Sequence, residues 1–306
     1  MKRQVAIIGT GWVGSSVAIS TLQSGVADEL LLHDLRQEVA AGEAMDLAHG
    51  ASFYPSALVR TSAIEEMVDA DAVVVAAGRG GRPGESRLEL LKENAAVVGG
   101  IGRKLRACRG CIVMVSNPVD VLTQVMTEVA GVPAARVLGT GTMLDTARLK
   151  HVVAHAIRVD PHSVHAHVVG EHGDSEVVLW SGARVGGVRL REWIGWDEKR
   201  EPAITEEVRR AAYEIIRRKG ATNHAIGLVT ADLLRCILRD ERRVLTVSRV
   251  QDGALGLRNV ALSLPAIVGA RGASEVVEPE MSEDERERLR RSADVLRDAA
   301  LAVTRT

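Results

Sequence analysis

Residues 5–34 read VAIIGTGWVGSSVAISTLQSGVADELLLHD, and the fold turns on this stretch. Val5–Ile8 is a short apolar run with the look of a strand. Glycines at 9, 11 and 14 follow as G-x-G-x-x-G, and SSVAISTLQS continues as a helical pattern. The glycine spacing alone is common, but here strand, glycines and helix fall in register. Gly9 permits a tight turn, Gly11 lets the backbone approach a pyrophosphate, and Gly14 lets helix and strand pack closely. The helix start offers unpaired N–H groups and its positive dipole end to phosphates. Asp34 closes the second strand, LLLHD, about twenty residues after Gly14, where a carboxylate accepts hydrogen bonds from ribose hydroxyls. It also repels a 2′-phosphate, so NAD is the expected cofactor, held by Gly9, Gly11, Trp12, Val13, Gly14 and Asp34. A cap for the following helix is the plainer role open to Asp34.

Outward from this unit, short apolar runs alternate with helical patterns. Strands are expected at Val5–Ile8, Glu29–His33, Ala57–Arg60, Ala72–Ala76, Ile112–Ser116 and Arg136–Leu138. Several are unbroken Val/Ile/Leu runs, as when both faces of a sheet are covered. The longest helical pattern runs from Glu85 to about Arg106. Such alternation predicts an α/β Rossmann fold, a doubly wound parallel sheet with right-handed connections. After about Leu144 the rhythm changes. Helices are expected at Asp145–Ala156, Thr205–Lys219 and Thr222–Arg239. Strands are expected at His165–Val169, Val177–Trp180, Val244–Val250 and Leu257–Ser263. Ser282 stands three residues before Glu285, a capping box that opens a last helix towards Val303. Its charge run, SEDERERLRR, reads as a solvated face. The division expected is an NAD-binding Rossmann domain over residues 1–143 and an α+β catalytic domain over 144–306. No long linker separates them, so they should pack closely.

Composition narrows the function. The net charge of −1 gives no global attraction to nucleic acid or an anionic membrane, and aromatics at 2% leave little to stack bases on. The apolar run of MKRQVAIIG stops at Gly9, too short for a signal segment, and no stretch of about 20 apolar residues is present. Three cysteines, Cys108, Cys111 and Cys236, suit a reducing compartment and a cytoplasmic location. The C-x-x-C of Cys108 and Cys111 lacks two further zinc ligands nearby and reads as buried packing. His151 and His155 are four apart on a helix but lack an H-E-x-x-H pattern. No metal is expected.

Three more segments carry chemistry: GESR at 84–87, LDTAR at 144–148 and GEHGDS at 170–175. With SNPVD at 116–120, GTGT at 139–142 and ATNHAIG at 221–227, they resemble the lactate/malate dehydrogenase family, and within it the L-lactate branch. The resemblance covers essentially the whole chain. It implies reversible NAD-dependent interconversion of pyruvate and (S)-lactate. Reducing a 2-keto acid takes a hydride from the cofactor and a proton for the new hydroxyl, and an imidazole titrates in the right range to give that proton. His172 matches the family's proton donor, and Asp145 the carboxylate that orients it and favours its charged form. Arg148 matches the arginine whose planar fork binds the substrate carboxylate. Arg87 matches the arginine that closes over the site and polarises the ketone. Asn117 matches a residue touching both nicotinamide and substrate, and Thr222 and Ile226 match residues lining the substrate pocket and the nicotinamide. Ala77 and Gly78 are likewise placed on the cofactor.

The chain departs from the family in the loop AGRGGRPGESR, residues 77–87. Lactate enzymes carry Gln five or six positions before the loop arginine, and malate enzymes carry Arg to pair with a second carboxylate. Here an ungapped match gives Gly81. Gly81 leaves space for water with pyruvate still accepted, or enlarges the pocket for branched-chain 2-keto acids. A one-residue shift would instead bring Arg82 inward and give malate activity. Glu171, the GES before Arg87, and Thr222 favour lactate. The loop glycines predict a lid that closes over substrate and delivers Arg87. Lys150 and His165 match the positions at which family members bind fructose 1,6-bisphosphate as an activator, although Lys loses the bidentate fork. The resemblance also implies a homo-oligomer, a tetramer or a dimer. Two other classes remain. A cofactor-binding regulator without turnover need not keep His172, Asp145, Arg87 and Arg148 together, and an NAD-dependent glycosidase would need metal ligands.

Overall fold

The computed structural model describes residues 2–80 and 86–304. Six strands build a parallel sheet: β1 (Gln4–Ile8), β2 (Glu29–His33), β3 (Leu58–Thr61), β4 (Ala72–Val75), β5 (Cys111–Met114) and β6 (Val137–Gly139). Their spatial order is β3-β2-β1-β4-β5-β6, the doubly wound dinucleotide-binding arrangement. β1, β4 and β5 are almost wholly buried. That is why their sequences are continuous Val/Ile runs rather than alternating ones. Helices α1 (Trp12–Ser24), α2 (Gln37–His49), α3 (Arg87–Lys104) and α4 (Val119–Ala130) connect them. α3 begins at Arg87 because Ser86 caps it. The Ser86 hydroxyl accepts the Glu89 N–H and the Glu89 carboxylate accepts the Ser86 N–H, a second capping box.

The second half opens with α5 (Met143–Ile157) and short strands β7 (Val164–His165), β8 (Val168–Val169), β9 (Val177–Val178), β10 (Arg184–Val185) and β11 (Val188–Arg189). The run 165–169 is predicted as one strand but forms two. β7 pairs with β10 and β8 with β9, in separate sheets. Helix α6 (Glu201–Lys219) starts four residues earlier than its periodicity suggests. Pro202 lies in its first turn, where a missing N–H leaves no bond unmade. Then come α7 (His224–Leu238), β12 (Arg243–Asp252), β13 (Arg258–Gly269), β14 (Gly272–Val276) and α8 (Glu283–Thr304). The Ser282–Glu285 box caps α8 as expected, with the Glu285 N–H on the Ser282 hydroxyl at 3.2 Å.

The larger departure is in the sheet. β12 and β13 form a long hairpin, and β14, unforeseen in the sequence, adds to its far edge. β12 then pairs with β6 at Ser248 and Gly139, giving one nine-stranded sheet in the order β14-β13-β12-β6-β5-β4-β1-β2-β3. The two halves of the chain therefore share a sheet. Gly141 at this seam has φ +47°, and a Cβ there would lie 2.2 Å from the Ser263 hydroxyl and 2.6 Å from the Ser248 nitrogen. Apolar side chains fill both faces of the sheet, and a third cluster around Leu149, Val164, Trp180 and Ile204 holds α5 and α6.

Helix α1 packs on the sheet through Gly14, where a Cβ would stand 1.8 Å from the Gly9 carbonyl oxygen. A backbone obstacle cannot swing away, so Gly14→Ala should cost at least about 3 kcal/mol. Gly42, exposed on α2, has open space around it. Gly42→Ala should stabilise by about 0.5–1 kcal/mol through the helix propensity of alanine. Thermal unfolding of the two variants should therefore move in opposite directions.

Candidate functional site

The nucleotide end of the site follows from β1, β2 and α1. The Gly9 N–H bonds the His33 carbonyl at 2.7 Å, which draws the glycine turn against the end of β2. A Cβ on Gly11 would meet nothing within 4 Å, leaving room at the helix start for a close ligand. A groove of about 870 Å³ opens there, lined by Thr10, Gly11, Trp12, Arg36, Phe53 and Tyr54 among others. That volume lies within the roughly 300–1,000 Å³ typical of ligand sites. Asp34 Oδ2 accepts the Thr10 N–H at 2.9 Å and Oδ1 accepts the Arg36 N–H at 3.0 Å. Asp34 thus braces the glycine turn as well as the following segment. A carboxylate has about four acceptor positions, so capacity remains for ribose hydroxyls. Ala77 and Gly78 lie under the same turn. Asn94 of α3 fixes them by accepting the Arg79 N–H at 3.0 Å and donating to the carbonyls of Arg79 and Asn117, each at 3.1 Å.

The second centre forms where α5 meets the loop 170–175. Asp145 lies in the first turn of α5 and is buried. Its Oδ2 pairs with His172 Nδ1 at 2.5 Å, and its Oδ1 accepts from Arg148 NH1 at 2.9 Å. One carboxylate so joins an imidazole and a guanidinium. Independent bonds place both partners. The Thr142 and Thr146 hydroxyls tie α5 to Val168. The loop is held by a Gly170–Ser263 bridge, by the Glu171 N–H on the Ser292 hydroxyl at 2.8 Å, and by the Tyr213 hydroxyl on Asp174 at 2.8 Å.

Burial disfavours charge on His172, but the charge of Asp145 and its hydrogen bond outweigh it, and the imidazole is pushed up to about 9. Asp145 is likewise penalised by burial, yet His172 and Arg148 bring it below the usual carboxylate range. Glu176 is buried close by. Desolvation first, then the charge of Asp145, push it up to about 8.

His172, Arg148, Asn117, Thr222, Ile226 and Val13 line one cavity of about 110 Å³, together with Thr140, Leu144, Ala212 and Ile216. Residues spread over some two hundred positions of sequence so converge on a space suited to a small ligand. Gly81 and Arg82 lie outside the described residues, as does the side chain of Arg87, whose backbone opens α3. Lys150 and His165 both act on half-buried His167, which desolvation and their charges push down to about 4. Burial and Arg243 lower Lys150. Cys108, Cys111 and Cys236 are free and buried, and among the described residues no group of three or more His, Cys, Asp or Glu could hold a metal ion. No described helix is long and apolar enough to cross a membrane.

The sequence reading missed Ala212 and Ile216, which face the cavity from α6 as two more apolar residues on a long helix. It also missed Glu176. A Glu next to a Val-Val run invites a surface assignment, and only the packing shows it buried.

Family models match both halves of the chain. Residues 3–139 match the lactate/malate dehydrogenase NAD binding domain, and residues 142–305 the family's alpha/beta C-terminal domain. An L-lactate dehydrogenase of Thermus aquaticus is 46% identical over 98% of this chain and 99% of its own length. One from Synechococcus sp. (strain JA-3-3Ab) is 44% identical over 95% and 96%. Among solved structures, a minor L-lactate dehydrogenase from Enterococcus mundtii in a ligands-bound form superposes with a TM-score of 0.96, at 39% identity over 99% of this chain and 98% of that one. A lactate dehydrogenase from a Medee basin deep-sea metagenome library gives the same TM-score at 36% identity, over 99% and 100%.

The electrostatics predict two measurable effects. Asp145→Asn removes the main support of the imidazolium while burial remains, so His172 observed by NMR should titrate at least about two units lower. Glu176 and His172 both bind protons more tightly folded than unfolded. Each stabilises the fold below its unfolded value, about 4.5 and 6.5, and that contribution is lost as pH rises through about 8 and about 9. Glu176→Gln should therefore flatten the decline of Tm between pH 5 and 8. An unchanged slope would count against a buried neutral acid there.

Proposed function

The chain belongs to the lactate/malate dehydrogenase family, and we propose that it interconverts pyruvate and (S)-lactate with NAD as its redox partner. The family's NAD-binding domain spans residues 3–139. The open approach at Gly11, the free amides starting α1 and the carboxylate of Asp34 fit a dinucleotide without a 2′-phosphate. NAD, when bound, supplies or accepts a hydride at its nicotinamide ring, which Asn117, Ile226, Val13, Ala77 and Gly78 would hold. The proposed division is a cofactor half over residues 1–143 and a catalytic half over 144–306, with Asn117 and Arg87 of the first and Ile226 of the second reaching across.

One observation carries the reading: Asp145, His172 and Arg148 form a bonded set on the wall of a small cavity beside Asn117. His172 Nδ1 is engaged by Asp145, so Nε2 is the nitrogen left to pass a proton. In reduction the imidazolium gives that proton to the substrate carbonyl oxygen, and in oxidation the neutral ring takes it from the hydroxyl. Asp145 holds the ring's orientation and supports its charge. Arg148 has five N–H donors and uses NH1 on Asp145, leaving others for a substrate carboxylate. Arg87 would polarise the carbonyl when the lid closes, and Thr222 would flank the substrate. Among the described lining residues, Arg148 and His172 are the cationic ones, and Leu144, Ala212 and Ile216 are apolar. That favours a small monocarboxylate over a dicarboxylate, whose second charge would be left unpaired. Free buried thiols suit a cytoplasmic setting, and the family relationship favours a homo-oligomer, tetramer or dimer.

A second, regulatory site has its own support. Lys150 and His165 lie about the same half-buried His167, with Arg243 acting on Lys150. This cationic cluster would take the phosphates of fructose 1,6-bisphosphate.

The test is NADH oxidation with pyruvate, oxaloacetate and 2-ketoisocaproate, with and without the bisphosphate. Pyruvate should give the highest kcat/KM, and reduction should weaken as pH rises through about 9, where His172 loses its proton. His172→Asn should lower kcat by about 10²-fold or more. Oxaloacetate ahead of pyruvate by about tenfold, a 1.4 kcal/mol preference, would overturn the lactate assignment. An unchanged KM for pyruvate across a bisphosphate titration would dismiss the regulatory site.

A further inference from the structure

Asp120 is buried in the first turn of α4, three residues after Asn117. Its Oδ2 accepts the main-chain N–H of His172 at 2.7 Å. An isolated buried carboxylate is costly. Here desolvation pushes the carboxyl up to about 6, against the Ser248 hydroxyl, the His172 amide and the His172 ring, which all favour its charged form. The Ser248 hydroxyl helps by proximity rather than by a well-aligned bond, and Oδ1 has no aligned donor. The start of α4 adds its positive dipole end.

We propose that Asp120 is the positioning residue that fixes the proton-transfer group relative to the hydride site: it anchors the His172 main chain to the helix start that follows Asn117, and its charge sits behind the imidazole. The inference rests on the hydride-transfer reading above. From Asn117, beside the nicotinamide, to the backbone of His172, the connection is less than one helical turn and one hydrogen bond. Among the described residues, no other hydrogen bond reaches His172 from the cofactor half. Proton and hydride must arrive at adjacent atoms of one substrate, so this short link sets their separation. The charges facing His172 are Asp145 and Arg148 from α5, Asp120 from α4 and Glu176 from beyond its own loop. Asp120 itself faces His172 and Glu171, and Arg209 of α6 faces Glu176.

The experiment compares the full-length enzyme with Asp120→Asn and Asp120→Ala, reading the pH profile of pyruvate reduction, NADH affinity by fluorescence, and the His172 titration by NMR. Asn keeps an acceptor for the amide but no charge. Its alkaline limb and its imidazole titration should both move down by about one unit, with kcat at low pH little changed. Ala removes the acceptor as well, and kcat should fall on the order of 10- to 100-fold while NADH affinity stays within about twofold. An Asn variant that titrates like the wild type, or an Ala variant with the kcat of the Asn variant, would overturn the proposal. If the Ala variant does not fold, the Asn titration decides alone. Because that titration needs no substrate, it also separates this inference from the activity: wild-type enzyme inert towards keto acids would sink the reading above, while an unmoved imidazole in Asp120→Asn would sink this one.

Discussion

The 2.5 Å contact between Asp145 and His172 is the interaction on which the remaining architecture depends. Asp145 is buried and His172 half-buried, and desolvation alone would drive both towards neutrality. His172 keeps its charge chiefly through Asp145, and Asp145 keeps its own through His172 and Arg148 together. Removing the carboxylate would leave the imidazolium without its bonded partner in a poor dielectric, which is the costly way to break such a pair. The pair therefore has to be set by structure outside itself. α5 delivers Asp145, braced on Val168 by two threonine hydroxyls. The loop 170–175 delivers His172, braced on Ser263, Ser292, Tyr213 and Asp120. Those braces come from α4, α6, α8 and β13, so the loop carrying the imidazole is fixed although it is neither helix nor strand.

The shared sheet makes that bracing possible. A substrate half that merely rested on the cofactor half would leave the two free to shift, since interfaces between domains are commonly modest and partly polar. Here β12 joins β6 edge to edge, and β13 carries Ser263, whose carbonyl and N–H bridge Gly170 and whose hydroxyl receives the Thr142 N–H. One residue thus touches both the start of α5 and the start of the histidine loop. Close approach at this seam needs Gly141, where any side chain would strike Ser248 and Ser263. The GTGT run is as much a joint between halves as a lining of the pocket.

The parallel sheet was legible because fully buried strands write themselves as unbroken Val/Ile/Leu runs, and because the glycine turn demands residues that few other structures need. Single segments with family patterns gave His172, Asp145 and Arg148, which the structure bonds together. The nine-stranded extension was not legible. The strand carrying Arg243 and Thr246 mixes apolar and polar residues without the unbroken apolar run of a parallel strand, and a single bridge, Ser248 to Gly139, joins it to β6. The 165–169 run misled for a related reason: strand propensity marks extended backbone but not its partner, and β7 and β8 pair with different strands. Glu176 and Asp120 were hidden because acids are mostly exposed. Their burial is decided by elements far away in sequence.

Those two hidden acids bear on how the cavity accepts an anion. Three carboxyl groups crowd one imidazole, and their neighbours divide their protonation states. Asp145, touching two cations, is held low. Asp120, bonded to an amide N–H but to no cation, rises to about 6. Glu176, facing the charge of Asp145, rises to about 8. Near neutral pH, Asp145 and Asp120 then balance His172 and Arg148, while Glu176 stays mostly uncharged. An ionised Glu176 would tip this balance towards negative and oppose a carboxylate ligand at Arg148. Keeping that acid neutral by burial, beside the guanidinium of Arg209, lets the site hold a charged imidazole and still attract a negatively charged substrate.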